Sequence, residues 1–339
     1  MSIETIEKKE ISVTAPARLH FGFLDLNGAL GRRFGSFGLA LDGLATRLTA
    51  SKAPTLTVNG PSTELTKRAE RYGKRLSAAF GLPGGAHITI SRAIPEHAGL
   101  GSGTQLGLAV GTALTRLYGV KADGATIARS LGRGARSGIG IGVFETGGVL
   151  LDGGNPVGEN DAKGGDQPPP VISRLPFPDD WRILLILDPG DCGLHGPGEI
   201  KAFEELPPYS DELSGRLCRL VVMKALPALA EQDFTAFSQA VTELQNAVGD
   251  HFAPVQGGRY VSPAVTETLE MLAAQGVQGY GQSSWGPTGF ALFATRQEAE
   301  KAREKLAAKS KGDAALEFVL CRGRNQGCLI ETHDLSPIS

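Results

Sequence analysis

The sequence predicts a two-domain α+β protein. Strand-like alternation and helix-like spacing follow one another along the whole chain rather than separating into one class. The length, 339 residues, exceeds what one average core fills. Near residue 190 the composition passes from glycine-rich α+β to helix-led α+β, so the expected domains are 1–190 and 191–339.

In chain order, Ile11–Ala15 and Ala17–Leu24 read as strands, the second apolar or aromatic over most of its length. Phe37–Leu41, Ala45–Thr49 and Thr55–Val58 follow, before the turn Asn59-Gly60-Pro61. Glu64–Phe80 has a helical stripe of Leu65, Ala69, Tyr72 and Leu76. Ala86–Ser91 alternates as a strand. Thr104–Tyr118 is apolar nearly all round, as a buried helix should be, and Ala122–Arg133 is more amphipathic. Phe144–Leu151 reads as a strand, residues 153–180 as a long Gly/Pro/Asp-rich loop or flap, and Trp181–Leu187 as a buried strand. Helices are expected over Ser210–Ala230, Phe234–Val248 and Pro263–Gln275. Strand, glycine-rich loop and strand then come before a helix at Arg296–Lys309 and a strand at Leu316–Leu320.

Composition removes several functions. With 34 basic and 36 acidic side chains there is no basic block to neutralise a nucleic-acid backbone. No apolar run approaches the length of a membrane span, and the charged start MSIETIEKKEISV lacks a signal-peptide core, so a soluble cytoplasmic protein is expected. The four cysteines form no metal or CxxC pattern and are expected to be reduced. The 46 glycines are roughly double the ordinary share and cluster where backbone can approach a ligand closely.

One such cluster is IPEHAGLGSGTQLGLAVG, Ile94–Gly111. A GLGSG turn running into a helix makes an anion site, because the first helical turn leaves N–H groups unpaired and its dipole favours negative charge. Gly99, Leu100, Gly101, Ser102, Gly103, Thr104 and Gln105 are the candidate phosphate binders; a plain N-terminal turn is the structural alternative. It is neither a Walker loop, since no GK[ST] follows, nor a Rossmann fingerprint.

Pro95–Ser102 resembles the second motif of the GHMP kinase superfamily, PARLHFGF at Pro16–Phe23 resembles the first, and GYGQSSWGPTGF at Gly279–Phe290 lies where the third belongs. The resemblance implies a two-domain GHMP-kinase-like fold with its active site in the interdomain cleft and a left-handed βαβ crossover. Two departures weigh against a kinase. Glycine stands in Ser137-Gly138-Ile139-Gly140-Ile141-Gly142 where such kinases carry an Asp, and Gly103 replaces a second loop serine. The runs Pro16–Leu41, Ile94–Gly111 and GLHGPGE (Gly193–Glu199) more narrowly resemble the β-ribofuranosylaminobenzene 5′-phosphate synthase family of tetrahydromethanopterin biosynthesis. That family joins phosphoribosyl pyrophosphate to 4-hydroxybenzoate or 4-aminobenzoate, releasing CO2 and pyrophosphate. The resemblance implies a homodimer, a magnesium ion and no ATP or tightly bound organic cofactor. An ATP-dependent small-molecule kinase and a non-catalytic phosphoribosyl pyrophosphate-binding descendant are the alternatives.

Such a reaction needs anion clamps, stabilisation of an oxocarbenium-like centre and an aromatic pocket. Arg18, Arg32 and Arg33 are candidate clamps, with a buried ion pair (Arg18) or a solvated turn (Arg32, Arg33) as alternatives. His20, on the same strand face as Arg18, could bond a phenol or phosphate or be a satisfied core histidine. Asp25 could stabilise the cation, bind metal with Ser102, or cap its turn, and Asn27 completes that Asp-x-Asn turn. Glu96 and His97 flank the phosphate loop, while His195 and Glu199 are candidates for the ring pocket. Gln282, Ser283, Ser284 and Trp285 are expected to close over the ribose or ring.

Overall fold

The structure, a computed structural model, describes residues 9–158, 167–191, 193, 197–310 and 316–334. Two long antiparallel strands, β1 (Lys9–Asp25) and β2 (Arg32–Ala53), form its spine. Each fuses two strands read separately from sequence. The breaks expected at Pro16 and around Gly43 are a ladder irregularity between Pro16 and Arg18 and a glycine at φ +107°, so the chain bends without leaving the sheet.

Next come β3 (Thr57–Asn59), α1 (Thr63–Phe80), β4 (Gly85–Arg92), α2 (Ser102–Leu117), α3 (Gly124–Ser130) and α4 (Ile139–Glu145). Helix α1 starts where Ser62 accepts a hydrogen bond from Leu65 N–H and stops at left-handed Gly81. Its apolar stripe meets α2, which is buried on nearly every face, and both cover the sheet through Val13, Leu48 and Ile88.

Strands β5 (Val149–Asp152), β6 (Asn155–Pro156), β7 (Val171–Leu175) and β8 (Arg182–Leu187) lead to α5 (Pro197–Glu205) and α6 (Asp211–Leu220). A π-helical turn, Val221–Ala225, joins α6 to α7 (Leu226–Glu231). The chain continues through α8 (Phe234–Gln256), α9 (Pro263–Ala274), β9 (Tyr280–Gln282), β10 (Gly289–Phe293), α10 (Arg296–Lys309), β11 (Glu317–Gly323) and β12 (Leu329–Asp334). The sheet runs β12-β1-β2-β11-β8-β10-β9, so the last two strands pair back onto β1, β2 and β8. No helix among the described residues is long and apolar enough to cross a membrane.

Three segments differ from the sequence expectation. Phe144 lies in the last turn of helix α4 rather than starting a strand; Gly147 and Gly148, both at positive φ, turn the chain into β5. The described parts of 153–180 are partly sheet, because β6 pairs with β2 and β7 with β5. Helix α8 runs eight residues past Val248, through Pro254, to Gln256.

Candidate active site

The loops singled out in the sequence meet in one knot. Arg18 N–H donates to Leu100 O at 3.0 Å, and the Arg18 guanidinium donates to Gly99 O. The same Gly99 O accepts from Ser283 Oγ at 2.7 Å, and that hydroxyl accepts from His20 N–H at 3.1 Å. Ser284 N–H returns to His20 O at 3.2 Å, and Gly193 N–H donates to His97 O at 3.2 Å. Glycine is required where these backbones touch. A Cβ on Gly99, already at φ +72°, would lie 2.1 Å from Ser283 O, and one on Gly193 would lie 1.9 Å from Trp285 O.

Helix α2 rises from this knot. Its N-cap, Gly101 at φ +83°, contributes no side-chain cap, so the amides of the first turn keep their capacity for an anion. Cations surround them. Arg18 lies under Gly101, whose Cβ would stand 2.9 Å from the Arg18 Cγ. Beside Gly103 the Arg133 guanidinium nitrogens lie 3.5 Å from where a Cβ would be; Arg133 is held by Tyr72 Oη at 2.5 Å. Arg136 pairs with Glu199 at 2.6 Å and lies over the Phe203 ring. Burial pulls the Arg18 pKa down to about 10, and the charge of Glu199 offsets part of that, so Arg18 stays a cation at neutral pH. The region therefore has the donors and charge to hold a pyrophosphate.

His20, two residues beyond Arg18, is 3% exposed, and its Nε2 has no hydrogen-bond partner. Burial and then the Arg18 charge push its pKa down to about 3, so the imidazole is neutral. A second polar group sits around the turn after β1. Asp25 Oδ1 accepts from Asn27 N–H at 2.8 Å, Gly28 N–H at 3.0 Å and Ser214 Oγ at 3.1 Å. Nearby, Tyr209 and His251 rings meet edge-on with centroids 4.6 Å apart, and the Arg33 charge helps burial lower the His251 pKa to about 4. Arg33 Nε, Tyr209 Oη and His251 Nε2 are all buried without a hydrogen-bond partner.

The GHMP kinases N terminal domain matches residues 65–148 and the GHMP kinases C terminal domain matches 225–312. A β-ribofuranosylphenol 5′-phosphate synthase of Methanothermobacter thermautotrophicus is 30% identical over 333 residues, covering 95% of this chain and 98% of its own. One from Archaeoglobus fulgidus is 33% identical over 287 residues, covering 83% of this chain and 87% of its own. The chain belongs to the β-ribofuranosylphenol 5′-phosphate synthase family. The members of this family are pentosyltransferase enzymes. The fold is that of the GHMP kinases. Homoserine kinase from Cytophaga hutchinsonii superposes with a TM-score of 0.62 at 16% identity, covering 98% of this chain and 100% of its own. Mevalonate diphosphate decarboxylase from Staphylococcus aureus superposes with a TM-score of 0.64 at 13% identity, covering 96% and 98%.

In this family member the sequence-predicted residues divide into groups. Gly99 to Thr104, Arg18 and Glu199 gather at the loop. Gln105 does not face it: the side chain is fully buried and donates to Gly140 O at 2.7 Å. Glu96 and His97 both hold Arg68 of α1, at 2.8 and 3.2 Å, and so brace the loop from behind. Ser283 is fully buried as the link between three segments rather than a cover over the ribose. Gln282 accepts from Val261 N–H at 2.7 Å and donates to Ser284 O at 3.1 Å. Trp285 is 5% exposed and packs on Phe203 and Phe252, so it is core as well as pocket wall.

Asp25 cannot share a metal with Ser102. It lies seven residues beyond Arg18 on an extended strand, on the order of 20 Å away. Asn27 Nδ2 donates to Tyr209 O at 2.7 Å, tying the turn to the segment before α6. Arg32 donates to Gly153 O at 2.7 Å and Gly154 O at 2.5 Å, clamping the end of β5, while Arg33 faces His251. His195 and Cys192 lie outside the described residues; Cys218, Cys321 and Cys328 are free thiols. Arg133, Arg136, Tyr209 and His251 escaped the sequence reading, since none stands in a motif and each is recruited by the fold.

The absent kinase acid has a structural counterpart. A Cβ on Gly140 would lie 3.2 Å from Thr104 Cγ2, leaving little room for a carboxylate against the first turn of α2. The buried acid of this region, Asp152, instead accepts from the N–H groups of Gly138 at 2.8 Å, Ser36 at 2.9 Å and Gly154 at 3.0 Å. Its carboxylate is occupied by backbone.

Proposed function

We propose that this enzyme condenses phosphoribosyl pyrophosphate with 4-hydroxybenzoate, forming a ribofuranosylphenol 5′-phosphate, CO2 and pyrophosphate in tetrahydromethanopterin biosynthesis. The observation that carries the reading is an uncapped helix start flanked by Arg18 and Arg133, with glycine where a kinase places its acid. The product named for the relatives, a phenol, favours the hydroxy acid over 4-aminobenzoate.

In this reading the α2 amides and the arginines hold the pyrophosphate and take up the charge that develops on it as the anomeric C–O bond breaks. The ring carbon bearing the carboxylate attacks the anomeric carbon; the carbon–carboxylate bond then breaks, its electrons restore the ring, and CO2 leaves. No hydroxyl has to be deprotonated for transfer, so the kinase acid has no task here.

Magnesium fits this site as an ion carried by the substrate. The described residues contain no group of three or more His, Cys, Asp or Glu able to cage a metal. The hydroxyls of Ser102 and Thr104 are the protein oxygens that would hold it, with phosphate oxygens and water completing a magnesium shell. When bound, it neutralises pyrophosphate charge.

The test is release of labelled CO2 from carboxyl-labelled 4-hydroxybenzoate and 4-aminobenzoate, with phosphoribosyl pyrophosphate and magnesium and without ATP. Release that requires phosphoribosyl pyrophosphate is expected, faster from the hydroxy acid. No release from either, by folded protein that phosphorylates a small alcohol with ATP, would overturn the reading.

A further inference from the structure

A cavity lies between β1, the loop after β9 and the C-terminal half of α8; its interior is small, about 30 Å³, and the rest of its roughly 390 Å³ of empty space includes open solvent. Its walls include Phe23, Val248, Phe252 and Trp285, with His20 and Ser284 beside them. The aromatic members form a continuous frame: His20 meets Phe23 edge-on at 4.8 Å and Phe252 meets Trp285 at 4.3 Å, while Phe203 bridges Phe23, Phe252 and Trp285.

The polar lining is largely committed elsewhere. Gln245 Oε1 accepts from Gln282 N–H and its Nε2 donates to Phe21 O. Arg259 is paired with Asp250 at 2.7 Å and with Asn246 at 3.1 Å. His20 is the exception: its Nε2 is buried and unpartnered. Leaving a buried polar nitrogen without a partner costs free energy that a ligand bond would recover.

We infer that this cavity is the arene subsite: the benzoate ring lies among Phe23, Phe252 and Trp285, and its para hydroxyl donates a hydrogen bond to the His20 imidazole. The inference rests on the proposed reaction and adds where the acceptor binds. A neutral imidazole can accept from a phenol, whereas a cationic one could only donate, and the depressed pKa keeps it neutral. Spacing agrees. His20 follows Arg18 by two residues, about 7 Å along an extended strand, which suits a ring whose reacting carbon faces the phosphate loop and whose para group faces away.

The bond also has a chemical consequence. While the attacked ring carbon carries both carboxylate and ribose, positive charge spreads to the para oxygen, and its O–H proton is shared with His20. When the carbon–carboxylate bond breaks, those electrons return to the ring and the proton stays with the phenol oxygen. His20 therefore begins and ends neutral, and nothing else is consumed.

The test compares 4-hydroxybenzoate with 4-fluorobenzoate, close in size but without a donor, bound to the whole enzyme with magnesium pyrophosphate present and followed by tryptophan fluorescence. The chain has two tryptophans, Trp181 and Trp285, so the quench is expected to vanish in Trp285→Phe. Wild type is expected to prefer the hydroxy acid about tenfold, and His20→Phe to reduce that to within about twofold. His20→Phe should also lower kcat/KM for 4-hydroxybenzoate at least about tenfold while KM for phosphoribosyl pyrophosphate moves less than about threefold.

Val248→Phe, on α8, adds bulk on the cavity wall where Val248 packs against Gly22 of β1 and should raise KM for the benzoate about tenfold; it serves if His20→Phe does not fold. An undiminished preference in His20→Phe, or an unchanged benzoate KM in Val248→Phe, overturns the subsite while CO2 release by wild type leaves the reaction standing. Wild type that binds neither acid and releases no CO2 overturns both.

Discussion

Ser283→Ala tests whether the third glycine-rich loop builds the site or touches the ligand. The Ser283 hydroxyl is fully buried; it donates to Gly99 O at 2.7 Å and accepts from His20 N–H at 3.1 Å. The alanine removes both bonds. Gly99 O keeps the Arg18 guanidinium as donor, so it is not orphaned, but His20 N–H is left buried with no partner. A typical net bond contributes about 1 kcal/mol and an orphaned donor costs about 1–3, so the expected loss is about 2–4 kcal/mol. Urea unfolding followed by fluorescence and circular dichroism should show this as a lower midpoint at unchanged slope. Because the hydroxyl faces the knot, inhibition by pyrophosphate should change less than about threefold in the folded variant. Stability within about 0.5 kcal/mol of wild type, together with a tenfold or greater loss of pyrophosphate affinity, would refute the structural role and return Ser283 to the ligand.

Arg18→Met keeps the stem and removes the charge; losing a charge-assisted contact should raise KM for phosphoribosyl pyrophosphate about 10- to 100-fold, measured in the CO2-release assay. Gly101→Ala forces a Cβ into left-handed backbone against the movable Arg18 side chain, and should cost about 1 kcal/mol in urea unfolding while raising the same KM several-fold. Tyr209→Phe removes a buried, unpartnered hydroxyl. Stability in urea unfolding should be unchanged or higher and KM for phosphoribosyl pyrophosphate should move less than about twofold, because the turn that holds Tyr209 lies far from the phosphate loop; a loss of more than about 1 kcal/mol would show that the hydroxyl has a partner in the folded protein. His20 and His251 have folded pKa values of about 3 and about 4, against about 6.5 unfolded. The unfolded chain therefore binds more protons below about pH 6.5, and stability falls as pH drops from there towards about 4, with two sites approaching ~2–3 kcal/mol per pH unit. Urea titrations from pH 7 to 4.5 should show this slope, reduced by about half in His251→Phe.

The phosphate loop and its helix were legible because local chemistry decides them: GLGSG before an apolar run needs no distant partner to be read as a helix start. The Arg18–His20 face of β1 was legible for the same reason, since strand alternation places both side chains together. Where the reading failed, tertiary contacts override local pattern. Phe144 was expected to open a strand, but Asp152 accepts from Gly138 N–H across 14 residues at the start of a helix that carries the chain through Phe144. Arg133 and Arg136 look like ordinary surface cations in a glycine-rich stretch until the fold sets them beside Gly103 and Glu199. Ser283 and Trp285 were recognised as important, but sequence could not separate a residue that builds a site from one that faces its ligand. That distinction depends on which neighbours are already satisfied. β12, mostly exposed at the sheet edge, offers little hydrophobic signal and is fixed by its ladder to β1.

On the proposed reading, a scaffold that serves phosphoryl donors in kinases serves a phosphoribosyl donor here because its anion site is indifferent to which bond breaks. Helix amides and guanidinium groups stabilise negative charge on pyrophosphate oxygens, whether these belong to a nucleotide or to a departing group on ribose. What makes a kinase is the additional acid beside the accepting hydroxyl. Here that region is closed by Gly140 against Thr104, with Asp152 spent on three backbone N–H groups. What a carbon nucleophile requires instead is a dry aromatic wall and a neutral acceptor at its far end. On the proposed reading, Phe23, Phe252, Trp285 and the uncharged His20 supply the wall and the acceptor, with the Ser283 hydroxyl joining His20 N–H to Gly99 O of the phosphate loop. The two chemistries thus diverge around a shared knot of backbone, through a few side chains that decide whether oxygen or carbon is presented to the phosphate-bearing partner.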